Sequence, residues 1–152
     1  MTTPAAAHLS RELAVALRDA GLRWSPAAGD RFVIPQPELD SQVFTLSDMT
    51  IEAHEYPTGT VLGFNGTTEW ALDSVAKDEA LWLPREDQLR ELLGGTFVAL
   101  RREEGPDGTV SFVVTTRDQG GATLQDRASS AVDAYGQAVL DLVRRATADA
   151  RA

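Results

Sequence analysis

Apolar residues recur along the chain with two periods, and the switches between them predict an order of elements. Near the start, Leu9, Leu13, Ala16, Leu17 and Ala20 fall three and four positions apart and form one stripe on a helix. Pro4 suits the first turn, because its missing N–H has no helical partner there. Gly21 offers the left-handed conformation that ends helices. Arg31 to Ile34 then reads as a short strand. Pro35 and Pro37 keep it from continuing into a central sheet position, because proline cannot donate to a ladder.

The middle reads as a β-meander: Gln42 to Leu46, Thr50 to Tyr56, Thr60 to Phe64 and Thr67 to Leu72. Pro57-Thr58-Gly59 makes one turn. Asn65-Gly66 makes another, of the two-residue type whose central positions both need positive φ. That turn pairs Phe64 with Thr67, Leu62 with Glu69 and Val61 with Trp70. It gathers Val61, Gly63, Thr68, Trp70 and Leu72 on the core face. Asp73 to Glu79 reads as a polar loop and Leu81-Trp82-Leu83 as an apolar plug.

Pro84 opens a second helix through Leu93, with Leu89, Leu92 and Leu93 inward and Gly94-Gly95 as its stop. Thr96 to Arg102 and Thr109 to Thr116 flank a Gly105-Pro106-Asp107-Gly108 turn. The longest helix is expected from about Leu124 to Ala146, on a stripe of Leu124, Ala128, Ala131, Tyr135, Val139, Leu142 and Ala146. Gly136 costs that helix about 1 kcal/mol relative to alanine, unless close packing needs the gap. The predicted fold is α+β: a mainly antiparallel sheet of five to seven strands with three packed helices. Residues 1–152 form a single domain in this reading, with 1–4 and 148–152 frayed.

Composition narrows the chemistry. The chain has 152 residues, no cysteine, and histidine only at His8 and His54. Disulfides, thiolate metal sites and a three-histidine zinc centre are excluded. Fourteen basic residues against 23 acidic ones give a net charge of -9, which argues against a general nucleic-acid surface. No apolar run approaches the roughly 20 residues of a membrane span. The N-terminus lacks the basic and apolar regions of a signal peptide, so the expected address is cytoplasmic. The glycines at 59, 63 and 66 lack phosphate-loop spacing, and Lys77, the only lysine, follows no glycine-rich loop.

His54 is the one histidine expected within a structured region, either as a general base or as a half-exposed strand residue. Glu69, Asp73, Asp78 and Glu79 cluster beside Trp70 and Trp82. Acids near aromatic rings suit glycoside chemistry or a hard cation, but a solvated loop has the same composition. The three tryptophans, in separate segments, are expected to converge on one core. The candidate ligand pocket is therefore His54, Glu69, Trp70, Asp73 and Trp82. No catalytic set, cofactor or metal is expected.

Four stretches carry a resemblance: WSPAAGDRFVIP, GFNGTTEWALDSV, LWLPREDQLRELLGG and DAYGQAVLDLVRR. Together they resemble a set of small bacterial proteins, some bearing the label pilus assembly protein CpaE. The WLP-x-x-x-QL segment is also similar to part of small phage-related α/β sandwich proteins. The pilus label belongs to ATPases with a nucleotide-binding loop, from which this sequence departs, so the resemblance implies a place beside a secretion or pilus system without that activity. The leading expectation is a non-enzymatic interaction or adaptor module that binds a protein partner or forms a homodimer through the last helix or an edge strand. Its rivals are a small-ligand protein or enzyme at the candidate pocket, and a phage-defence or immunity protein.

Overall fold

The computed structural model describes the backbone of residues 8–46, 51–56, 59–64, 74–76 and 79–150, and the side chains of residues 8–46 and 79–149. Among the described residues the elements run α1 (Arg11–Ala20), β1 (Arg31–Val33), β2 (Phe44–Thr45), β3 (Ile51–Tyr56), β4 (Gly59–Phe64), β5 (Ser74–Ala76), β6 (Leu81–Leu83), α2 (Glu86–Leu93), β7 (Phe97–Glu104), β8 (Val110–Arg117), β9 (Thr123–Ala128) and α3 (Ala131–Ala150). The class is α+β with antiparallel pairing throughout. The strands divide into three sheets of three, ordered β2-β1-β6, β3-β4-β5 and β7-β8-β9, where a single sheet of five to seven was expected. The chain forms two compact units, a terminal one of Met1–Arg23 with Pro84–Ala152 and an inserted one of Trp24–Leu83.

The terminal unit holds all three helices. Ser10 caps α1, its Oγ accepting from the Leu13 N–H at 3.4 Å. At the other end Gly21 sits at φ 113. Its N–H bonds to the Arg18 carbonyl at 3.0 Å and the Leu22 N–H to the Leu17 carbonyl at 2.9 Å, which satisfies the last free carbonyls. In α2 the Gln88 Oε1 reaches back to accept from the Arg85 N–H at 3.0 Å. Leu89 and Leu93 are buried as expected, but Leu92 is 42% exposed. At about 100° per residue it lies roughly 60° round the helix from Leu89, on the side away from Leu93, and so falls off the buried stripe.

The last helix starts later than the apolar stripe suggested. Leu124 and Ala128 belong to β9, which pairs residue for residue with β8, Leu124 opposite Thr116 and Ala128 opposite Phe112. A spacing of four satisfies a strand as well as a helix, and the turn after β8 brings the segment back alongside it. Ser130 then caps α3, its Oγ accepting from the Asp133 N–H at 3.2 Å. The helix continues to Ala150, past the expected end at Ala146. It packs on α1, α2, β8 and β9, burying Val132, Ala134, Tyr135, Ala138, Val139 and Leu140. Close packing does need the gap at Gly136: a Cβ there would stand 2.6 Å from Leu9 Cδ1 and 3.3 Å from Leu13 Cδ1.

The inserted unit is built from strands. β1 pairs with β2 on one side and β6 on the other, so it is central in its sheet, against expectation. It can be central because it stops at Val33, before Pro35 would break the ladder. The apolar plug Leu81-Trp82-Leu83 is strand β6. Its core gathers Trp24, Phe32, Ile34, Leu46 and Ala80, with Leu39, Phe44 and Trp82 packed against them. Trp24 stacks on Trp82 with ring centroids 6.4 Å apart. Two of the three tryptophans therefore meet in one core, and Trp70 lies outside the described residues. Asp30 is 2% exposed, and its Oδ2 accepts from Trp24 Nε1 and the Ala27 N–H, both at 2.9 Å.

In the second sheet of this unit, both sides of Val61–Gly63 are taken, by β3 and by β5. Leu62 stands opposite Val75 and Val61 opposite Ala76, and Ser74–Ala76, expected within a loop, forms β5. The expected partners Glu69 and Trp70, the Asn65-Gly66 turn, the Thr67 to Leu72 strand and the Pro57-Thr58 turn all lie outside the described residues.

Candidate functional site

Of the five residues in the expected pocket, His54 is in β3, where its backbone pairs with Val61. Glu69, Trp70 and Asp73 lie outside the described residues. Trp82 is half-buried on β6 against Trp24, and its Nε1 is buried with no hydrogen-bond partner among the described residues. A stacked indole with an unpaired donor is the one polar vacancy at this place, since burying an N–H unbonded costs about 1–3 kcal/mol. Among the described residues, no group of three or more His, Cys, Asp or Glu is placed to hold a metal ion. None of the described helices is long and apolar enough to cross a membrane.

Two features of the terminal unit stand out instead. The first is β7, the edge of its sheet, with no described strand on its far side. Six of its eight residues are exposed, with Phe97 and Glu103 half-buried. Its two halves differ. In the second half, Glu103 accepts from Arg101 Nε at 2.8 Å and pairs with Arg127 Nη1 at 2.6 Å. Those hydrogen bonds, from Arg127 first and Arg101 second, hold the Glu103 carboxyl below its usual range. This charged half resists pairing with another chain.

The first half of β7 is apolar. Val98 is 43% exposed at a bulge between Phe97 and Ala99, and Leu100 is 38% exposed. Leu100 lies in one cross-sheet row with Val114, which is fully buried, and Asp126. The apolar layer of the unit thus reaches the sheet edge still partly open. Nothing in the alternation of Thr96 to Arg102 marked these residues, because edge position is decided by which strands pair and in what order.

The second feature is a half-buried acid. Asp126 is half-buried on the side of β9 that also carries Leu124 and Ala128, and α3, the helix that carries Asp141, packs on that strand. Burial pushes the Asp126 carboxyl up to about 7, the acid at Asp141 adds to it, and Arg145 pulls the other way. Arg145, one turn beyond Asp141, donates from Nε to the Asp141 carbonyl at 3.3 Å. It also lines a recess of about 380 Å³ together with Asp118 and Asp149. The usable sequence signal was an acid at the centre of an inward triplet, Leu124, Asp126, Ala128. A helical reading of that stretch conceals it.

Compared with family models, curated proteins and solved structures, the chain matches none. The functional reading therefore rests on the geometry.

Proposed function

We propose that this protein is an interaction module that self-associates through the apolar half of β7. The observation that carries the reading is the open end of the Asp126–Val114–Leu100 row, where Leu100 remains 38% exposed on a strand edge that no described strand pairs with. The other surface considered, the apolar stripe of the last helix, packs its Tyr135 and Val139 against α1, α2 and the sheet, and leaves only Ala146 exposed at its end. An antiparallel two-fold pairing centred on Leu100 sets that side chain against its own copy and continues the layer across the junction. Bulged Val98 and the Arg101–Glu103–Arg127 network limit the pairing to a short segment, which suits a reversible contact.

Size-exclusion chromatography with light scattering tests this. The expected result is a concentration-dependent dimer that Leu100→Lys returns to a monomer with unchanged circular dichroism. A wild-type monomer at all concentrations, or a dimer indifferent to Leu100→Lys, overturns it. A second reading, small-ligand binding, is favoured by the unpartnered Trp82 Nε1 stacked beside Trp24. Its ligand would offer a hydrogen-bond acceptor next to a flat apolar surface.

A further inference from the structure

The register of β7, β8 and β9 sorts their side chains onto two faces. Phe97 stands opposite Thr116, and its ring centroid lies 5.8 Å from that of Tyr135, so the face of Val114 and Thr116 is the one under α3. The charged residues of the other face are Arg101 and Glu103 on β7, Arg117 on β8 and Arg127 on β9. Three arginines to one glutamate reverse the balance of the chain, which has 14 basic residues against 23 acidic ones.

Val113 lies in one row between Arg101 and Arg127, and Ser111 stands opposite Glu103. The Glu103 carboxylate is held from both sides. Arg101 donates from Nε to its Oε1 at 2.8 Å and reaches the same oxygen with Nη2, while Arg127 Nη1 pairs with its Oε2 at 2.6 Å. Arg127 Nη1 also donates to Ser111 Oγ at 2.8 Å. To reach Glu103 from β9, the Arg127 side chain crosses β8 beside Val113, which is 1% exposed although both flanking arginines are half-exposed. The two guanidinium groups are thereby fixed in position while still facing water. Their paired donors match a carboxylate. The strand residues of this face include no aromatic ring on which a nucleic-acid base could stack.

We propose that this open sheet face docks an acidic segment of a partner protein, and that Glu103 is a built-in stand-in for the partner's carboxylate between Arg101 and Arg127. The Glu103 contacts show the coordination such a carboxylate finds: Arg101 on one oxygen, Arg127 on the other, and the Ser111 hydroxyl holding Arg127 in place. An incoming carboxylate takes the donors that Glu103 gives up, and Arg117, two rows further along β8, meets a second one. Because the face opposes the chain's net charge of -9, an acidic partner is steered to it and repelled by much of the remaining surface. Edge pairing of β7 uses backbone groups and leaves this face open, so docking here does not rest on self-association.

The test is fluorescence anisotropy of a labelled oligoglutamate peptide titrated with the full chain at low salt, beside an oligothymidylate of equal charge. We expect the peptide to bind, to weaken as salt is added, and to bind more tightly than the oligonucleotide. Arg101→Gln combined with Arg127→Gln should weaken peptide binding about fivefold. Glu103→Gln, which frees both arginines, should tighten it by a similar factor, a gain that a network serving only to brace the sheet would not give. No peptide binding by the wild type overturns the proposal. So does a double variant that folds and keeps wild-type affinity, or an oligonucleotide that binds as tightly as the peptide, which would assign the face to phosphate. Should the double variant lose its circular dichroism, Glu103→Gln decides alone, and an affinity that is unchanged or weaker overturns the proposal.

Discussion

The two compact units of this chain bury different materials. The terminal unit packs aliphatic side chains from helices onto a sheet: Leu13, Leu17, Leu89 and Leu93 with Val113, Val114, Val132 and Val139. The described core of the inserted unit is built around aromatic rings, with Phe32 fully buried and its ring centroid 5.6 Å from that of Trp24 and 5.5 Å from that of Phe44. A three-residue strand such as β1 contributes few hydrogen bonds, so large rings must supply the buried area that longer elements collect from many aliphatic residues. The inserted unit also buries a carboxylate, Asp30, to hold its turn and the Trp24 indole together.

This contrast has separate spectroscopic readouts. All three helices lie in the terminal unit and all three tryptophans in the inserted one. Helical circular dichroism therefore follows the first, and indole fluorescence the second.

The largest effect is expected from Phe32→Ala, at about 3–5 kcal/mol, because a fully buried ring leaves a cavity among Trp24, Phe44 and Ile34. The loss should appear first in the fluorescence transition. Coincident shifts of both signals would show that the units unfold as one and would dissolve the contrast. Next is Gly136→Ala. Overpacking against Leu9 and Leu13 costs about 1–3 kcal/mol, partly offset by about 1 kcal/mol of helix propensity. The net loss should appear in the helical signal, whereas a rise in melting temperature would mean that the Leu9 side chain can swing away freely. The smallest is Ser130→Ala, at about 1 kcal/mol, read in the same signal. No change there would place the start of α3 elsewhere than the Ser130 cap.

Sequence and structure agree best where a local rule is complete within a few residues. The end of α1 needed only an apolar stripe and Gly21, and the β7–β8 pair needed only a Gly-Pro-Asp-Gly turn between two apolar runs. The agreement fails where one pattern serves two structures. Leu124, Ala128 and Ala131 fit a helix, but Leu124 and Ala128 also fit a strand, and pairing with β8 takes them for the sheet. Short β6 and β5 were missed for a related reason, since three residues carry too little periodicity to separate a strand from a plug or a loop. The expected pocket rested on a register that runs outside the described residues. The half-buried acid at Asp126 escapes a helical reading because only the packing of β9 on α3 turns it inward.

By itself, the sequence determined the class, the helix ends at Gly21 and Gly94, the Gly105–Gly108 turn and the absence of thiol chemistry, because each depends on residue type or on contacts a few positions away. It also left room at Gly136 without saying what filled it. Only the tertiary structure decided which strands are edges, how they divide into three sheets, that Leu9 occupies the space beside Gly136, and that Asp126 is half-buried on a strand under α3. Those outcomes depend on distant segments competing for the same hydrogen bonds and the same apolar surface. No local pattern records who wins that competition, and the exposed Leu100 edge is a product of it.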